Sequence, residues 1–344
     1  MKLMKTEEAV GQVLCHDITQ IIPSVTKDAV FRKGHIITKE DIPVLLSVGK
    51  EHIYIWEKDE HMLHENEAAQ ILYEMCRNEH MHPSAVKEGK IELIADCDGL
   101  FKVDREKLRK VNSLGEMMIA TRHGNTFVKK GDKLAGTRII PLVIEKEKME
   151  RAKEIGNDGS ILEIKPLQPK KAAILTTGSE VYHGRIQDKF TPVLVEKLKE
   201  YGSEVIFHEI YDDDHEAITK GCLSAIEQGA ELVLCTGGMS VDPDDKTPLA
   251  IKNTGARIVS YGAPVLPGAM FLVSYYEYKD KTIPIVGLPG CVMYAKRTIF
   301  DLALPRLLAD DFITAEELAL LGEGGLCLNC PVCTYPNCGF GKGW

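Results

Sequence analysis

The sequence predicts an α/β domain built on a mainly parallel sheet, preceded by an α+β, β-rich N-terminal region. Three observations carry this expectation. From residue 171 onward, apolar runs of strand length alternate with runs of helical spacing, the pattern of βαβ units whose sheet is covered on both faces. Three of these strand runs end in glycine turns, at Thr177-Gly178, at Gly237-Gly238 and over Gly287 to Gly290. Before residue 165 the β-like runs are short and separated by turns, without that alternation.

Residues 1–165 hold β-like runs in "GQVLCHDIT", "HIYIW", "IELIADCDGLFKV" and "RIIPLVIEK". "TKEDIPVLLSVG" predicts a helix with Thr38 as N-cap and Asp41 three residues on. "ENEAAQILYEMCRNE" has apolar residues at helical spacing, and "NSLGEMMIA" predicts a third, shorter helix. "GNDGS" and the prolines of "IKPLQPKK" mark a connector over residues 150–170. In residues 170–310, "KAAILTTG", "SEVIFHEI", "AELVLCTGG" and "KTIPIVGLPG" predict strands. "DKFTPVLVEKLKEYG", "DHEAITKGCLSAIEQG", "DKTPLAIKNTG" and "VMYAKRTIFDLALPRLLA" predict the helices between and after them. Residues 312–344 hold a short polar helix, "TAEELALLGEGG", and a cysteine-rich tail.

A net charge of -9 and a pI of about 5.7 argue against nucleic acid or an anionic membrane as the main partner. "MKLMKTEEAV" lacks the apolar stretch of a signal peptide. No apolar run approaches the ~20 residues a bilayer span needs. A cytoplasmic location with no membrane partner is expected. There, Cys15, Cys76, Cys97, Cys222, Cys235 and Cys291 read as small buried hydrophobes or spectators.

The chemistry falls at the strand ends. Gly178, Gly237 and Gly238 let backbone approach an anion with free N–H groups pointing at it. Glu180, Asp213, Asp242 and Asp245 bring carboxylates to the same edge. Carboxylates beside an anion-binding turn suit Mg²⁺ lying between them and a phosphate or oxyanion. Taken singly, glycines make turns and aspartates cap helices. Taken together, at successive strand ends, the four motifs point to one site. Arg185, Lys189 and Lys246 are candidates to face a phosphate, whereas His80-Met81-His82 and Asp212 to Asp214 read as an exposed loop and a solvated turn.

"LTTGSEV…GRIQDKF", "TGGMSVDPDDKTPLAI" and "IVGLPG", in that order, resemble the molybdopterin-binding domain shared by molybdopterin adenylyltransferases and molybdopterin molybdotransferases (the MogA/MoeA family) over roughly residues 170 to 310. The resemblance implies a three-layer α/β domain that binds the phosphate of the pterin dithiolene at its glycine turns, with Mg²⁺. Position by position, it implies catalytic roles for Glu180, Asp213 and Asp245. It implies cofactor binding through Gly178, Asp188, Gly237, Gly238, Ser240, Pro289 and Gly290. Cys291 and Val292 depart from the pattern, since the transferase branch usually has asparagine and proline there. "GQVLCHDIT" and "FRKGHIITKEDIPVLLSVGKEHIYIW" resemble the transferase start more weakly, and a homodimer through this half follows by analogy only. Full-length transferases carry a C-terminal β-barrel after the pterin domain. About 35 residues follow that domain here, so the barrel is expected to be absent and the tail to take its place.

The tail places Cys327, Cys330, Cys333 and Cys338 at spacing suited to one metal centre. A [4Fe-4S] cluster and a zinc ion both fit this donor set. Pro331, Pro336 and the tail glycines are expected to keep the segment from packing without a ligand, and the α/β domain is expected to stand without it. The resulting expectation is molybdenum-cofactor biosynthesis. A molybdotransferase-like enzyme would bind molybdopterin or its adenylate with Mg²⁺ and promote molybdate insertion into the dithiolene. The alternative is a non-catalytic pterin carrier, chaperone or sensor for a molybdenum enzyme.

Overall fold

A computed structural model describes residues 1–22, 26–55, 59–156 and 159–343. The chain divides into two compact units. One comprises residues 1–96, 103–122 and 130–163; the other comprises 97–102, 123–129 and everything from 164 onward.

The second unit is an α/β fold on a six-stranded sheet. Its strands are β1 (Lys171–Thr177), β2 (Glu204–Tyr211), β3 (Leu232–Thr236), β4 (Arg257–Tyr261), β5 (Leu272–Tyr278) and β6 (Lys281–Leu288), in the spatial order β2-β1-β3-β6-β5-β4. The first four of that order run parallel, while β5 and β4 add antiparallel at one edge. Between and after the strands lie α1 (Ser179–Tyr182), α2 (Phe190–Lys199), α3 (His215–Glu227), α4 (Thr247–Asn253), α5 (Ile299–Leu308) and α6 (Ala315–Leu320). Successive strand residues point to opposite faces. Ile174 and Leu234 pack with Leu194 of α2 and Phe300 of α5. Leu175 and Val233 pack with Ile218 of α3 and Ile251 of α4. The sheet is therefore the middle of three layers, and its central strands β1, β3 and β6 are buried along nearly their whole length because both faces are covered.

Three elements of this unit depart from the sequence reading. β4 and β5 were not foreseen. The hairpin joining β5 to β6 turns at Lys279, which sits in the left-handed region at φ 53. The helix predicted over "VMYAKRTIFDLALPRLLA" starts only at Ile299, where Thr298 and Asp301 form a capping box. The residues before it form a 3-10 turn, Gly290–Met293.

In the first unit, helix Glu65–Cys76 packs on a four-stranded antiparallel sheet of Met81–Pro83, Ile91–Ala95, Lys133–Ile139 and Met117–Thr121. The helix expected at "NSLGEMMIA" does not form. That stretch joins helix Arg105–Asn112 to strand Met117–Thr121. Gly115 and Glu116, at φ 75 and 59, stop the helix. The Asn112 side chain then holds the strand through both the N–H and the C=O of Ile119, at 2.8 and 3.0 Å. "IELIADCDGLFKV" splits into Ile91–Ala95 and Gly99–Val103. Helix Asp41–Ser47 starts later than Thr38, whose N–H donates to Asp41 Oδ2 instead. His80-Met81-His82 runs into the strand Met81–Pro83, and His82 Nδ1 lies 2.6 Å from Asp96 Oδ1. Among the described residues, no helix is long and apolar enough to cross a membrane.

Candidate functional site

The C-terminal ends of β1, β2 and β3 open into a cavity of ≈ 720 Å³. Two glycine turns build it. Gly178, at φ 131, takes the chain from β1 into α1. Gly237 and Gly238, at φ 83 and 52, take it out of β3. A Cβ on Gly237 would lie 2.1 Å from the Thr177 carbonyl oxygen, so only glycine lets the β3 turn cross the β1 turn this closely. Thr247, at the start of α4, fastens the two: its hydroxyl donates to the Gly237 carbonyl at 2.9 Å and accepts from Thr177 Oγ1 at 2.9 Å.

Around these turns stand Glu180, Asp212, Asp213, Asp242, Asp244 and Asp245, with Lys189 the one basic side chain on the wall among the described residues. Asp213 Oδ2 accepts from the Ser179 N–H at 3.0 Å. Burial pushes its carboxyl above the ordinary range, and the neighbouring carboxylates of Asp212, Glu180 and Asp245 add to the rise against that one hydrogen bond. Asp245 Oδ2 accepts from the Asp242 N–H at 3.3 Å, which folds the loop between Ser240 and Lys246 into a tight turn. Val241, at its tip, is 85% exposed.

Asp188 also lines the cavity but is engaged on both oxygens. Oδ1 accepts from the N–H groups of Phe190 and Thr191 at 2.8 and 3.1 Å, capping α2. Oδ2 accepts from the hydroxyls of Thr191 and Thr176 at 2.5 and 3.1 Å. Burial alone would raise this carboxyl; the hydrogen bonds overcome it and hold the group below the ordinary range. Asp188 is thus a strut that ties β1 to α2.

Of the residues singled out from sequence, Gly178, Glu180, Asp188, Asp213, Gly237, Gly238 and Asp245 line this cavity. Ser240, Pro289 and Gly290 do not. Ser240 is exposed on the loop after β3, and Pro289 is buried at the end of β6. From that segment Met293 reaches the wall instead. Arg185 and Cys291 are also outside it; burial raises the Cys291 thiol. Thr176, Thr177 and Asp244 were missed. "LTTG" carried a signal for the threonines, polar residues leading into a glycine turn, and "DPDD" carried one for Asp244, which lies between Asp242 and Asp245.

The tail behaves differently from the expectation. It docks on the α/β unit through its own side chains. Phe340 is 5% exposed and joins the cluster of Phe300 and Leu304. Tyr335 donates to the Asp301 carbonyl at 3.0 Å under the Arg297 guanidinium. Leu326 forms a parallel bridge with Leu266. The tail glycines allow close approach: a Cβ on Gly341 would lie 2.3 Å from Leu302, and one on Gly343 2.1 Å from the Leu320 carbonyl oxygen. Cys327, Cys330, Cys333 and Cys338 are all free thiols. Among the described residues, no three His, Cys, Asp or Glu side chains are gathered around a single metal position.

Residues 173–309 match the family described as "Probable molybdopterin binding domain", and residues 3–57 match a domain of unknown function. A molybdopterin adenylyltransferase of Pyrococcus furiosus is 27% identical over 39% of this chain and 76% of its own length. A CinA-like protein of Mycobacterium tuberculosis is 35% identical over 22% of this chain, which spans only 18% of that relative. Among solved structures, a tungsten cofactor synthesizing protein MoaB from Pyrococcus furiosus is 18% identical over 42% of this chain and 98% of that one, with a TM-score of 0.35. The two glycine turns and the acidic cavity they border fall within residues 173–309, the segment that matches the molybdopterin-binding family.

Proposed function

We propose that the α/β unit binds molybdopterin or its adenylate with Mg²⁺ and promotes molybdate insertion into the dithiolene, a step of molybdenum-cofactor biosynthesis. The observation that carries the reading is the single cavity in which glycine-turn backbone and the carboxylates of Glu180, Asp213 and Asp245 converge inside the matched segment. The backbone at Gly237 and Gly238 suits a phosphate, whereas the Gly178 N–H is already engaged by the Tyr211 carbonyl at 3.2 Å. The carboxylates suit Mg²⁺: burial is the main cause of the rise at Asp213, and the crowding of Asp212, Glu180 and Asp245 that adds to it is the repulsion a divalent cation relieves. Glu180, Asp213 and Asp245 would hold the ion, which would neutralise phosphate charge when bound. This chain's own contribution is positioning: the Thr247 clamp fixes the two turns, and Asp188 fixes the first turn of α2.

The test uses purified protein with Mg²⁺ and three substrate sets. Adenylylated pterin with molybdate should release AMP and yield molybdenum-loaded pterin. Molybdopterin with ATP should be bound without pyrophosphate release. Pyrophosphate release would instead assign adenylyl transfer, the activity in the name of the archaeal relative. Tight pterin binding with neither product would leave a carrier that delivers pterin to a molybdenum enzyme.

A further inference from the structure

We propose that Tyr261 is a positioning residue of the acidic cavity: from the outermost strand of the sheet it holds the loop carrying Asp242, Asp244 and Asp245 where those carboxylates can share Mg²⁺. The inference rests on the function proposed above, and it gives the unforeseen edge strands a part in that function.

One row of residues across the sheet explains how an edge strand reaches the cavity. Cys235 of β3 lies opposite Gly287 of β6, Gly287 opposite Leu272 of β5, and Leu272 opposite Tyr261 of β4. Residues in one row share a face of the sheet, here the face on which Cys235 and Leu272 pack with α3 and α4. Gly287 leaves a gap in this row. Met239, the first residue after Gly238, fills it: a Cβ on Gly287 would lie 2.6 Å from Met239 Sδ. At the end of the row the Tyr261 hydroxyl donates to the Met239 carbonyl at 2.8 Å, with the Ser240 carbonyl at 3.4 Å. The side chain of Met239 is thus seated in the sheet, and its carbonyl is held by β4.

Beyond Ser240 the loop bonds to itself. The Asp242 N–H donates to Asp245 Oδ2 at 3.3 Å, the Asp245 N–H donates to the Asp242 carbonyl at 3.0 Å, and Lys246 Nζ donates to the Pro243 carbonyl. A turn bonded in this way keeps its own shape but is not thereby fixed in place. Among the described residues, the hydrogen bonds that tie residues 239–245 to another element come from Tyr261. Burial raises the Tyr261 phenol, and the Asp245 carboxylate adds to the rise, so the ring stands within electrostatic reach of the carboxylate it positions. The cavity carries a separate sign of a ligand. Thr236, the last residue of β3, is fully buried on the wall, and its hydroxyl has no hydrogen-bond partner among the described residues. A bound group would complete it.

The experiment titrates the full chain with Mg²⁺ alone by calorimetry and follows its amides by hydrogen exchange. Tyr261→Phe removes one hydroxyl and keeps a ring that is 45% exposed. The Mg²⁺ dissociation constant should rise about 2–10-fold, the worth of one hydrogen bond, and amides over residues 239–245 should exchange faster. Tyr278→Phe, at the opposite end of β5, should alter neither. In an Asp245→Asn background the further loss of Mg²⁺ affinity should be smaller, because the carboxylate being positioned is gone. Equal losses in the two backgrounds, or a lower melting temperature with unchanged Mg²⁺ affinity, would mark a merely stabilising bond and overturn the proposal. A wild-type chain that binds no Mg²⁺ overturns the function proposed above. Unchanged exchange over residues 239–245 in Tyr261→Phe overturns this inference whatever the wild type binds.

Discussion

Gly237 stands at a steric limit. Its Cβ position lies 2.1 Å from Thr177 backbone, and its φ is 83. Gly255, at φ 86, has nothing within 4 Å of its Cβ position. Gly255→Ala should therefore cost only the left-handed backbone penalty of about 1–2 kcal/mol. Gly237→Ala should cost more, because two backbones must separate; denaturant midpoints of the two variants compare them directly. Asp213 carries a prediction of opposite sign. Its folded carboxyl is raised, so the folded state binds the extra proton and loses stability as pH climbs through that range. Asp213→Asn should raise the melting temperature at neutral pH in Mg²⁺-free buffer, and the gain should vanish below the ordinary carboxyl value of 3.8. Asp188 is the reverse case, depressed by its hydrogen bonds, and Asp188→Ala should lose about 0.5–2 kcal/mol of helix capping at neutral pH. The glycines and Glu180, Asp213 and Asp245 could be read from sequence because a turn after a strand is a local pattern. Thr247 could not, because its partner Thr177 is seventy residues away.

At the scale of elements, α5 and the segment after it hold a buried charge cluster. Arg306 Nε donates to Asp311 Oδ2 at 2.6 Å, and Lys102 and Lys165 reach the same carboxylate at 2.8 and 2.9 Å. Burial alone would raise Asp311, but these cations bring it down to about 2. Its contribution is complete above the ordinary 3.8 and should be lost as pH falls toward 2. Asp311→Ala leaves Arg306 its bonds to Glu317 and the Phe312 carbonyl but removes the carboxylate it shares with Lys102 and Lys165, and should cost about 1.5–3 kcal/mol at neutral pH by chemical denaturation. None of this showed in the sequence, where Asp310-Asp311 looks like an ordinary helix end. The four parallel strands were visible because helices alternate with them. β4 and β5 were not, because an antiparallel edge has no intervening helix to mark it.

At the scale of the molecule, the tail and two early segments complete the α/β unit. Phe340→Ala should cost about 3–5 kcal/mol, the usual range for a buried phenylalanine. A fragment spanning 170–310 also lacks Lys102, Lys165 and Asp311. It should melt well below the same unit in the full chain, as read by tryptophan-independent near-ultraviolet dichroism; equal midpoints would refute the dependence. The sequence suggested a tail that needs a ligand for order, since prolines and glycines oppose regular structure. The glycines instead let the tail backbone lie against Leu302 and Leu320.

The pairing of Lys102 with Asp311 spans 209 residues. At synthesis rates of about 5–20 residues per second, the second partner leaves the ribosome roughly 10–40 s after the first. During that interval Leu100 and Phe101, fully buried in the finished protein, have no completed core to enter. A nascent chain stalled before residue 311 should therefore bind a holdase chaperone at this stretch, and release it only once α5 and the tail have emerged.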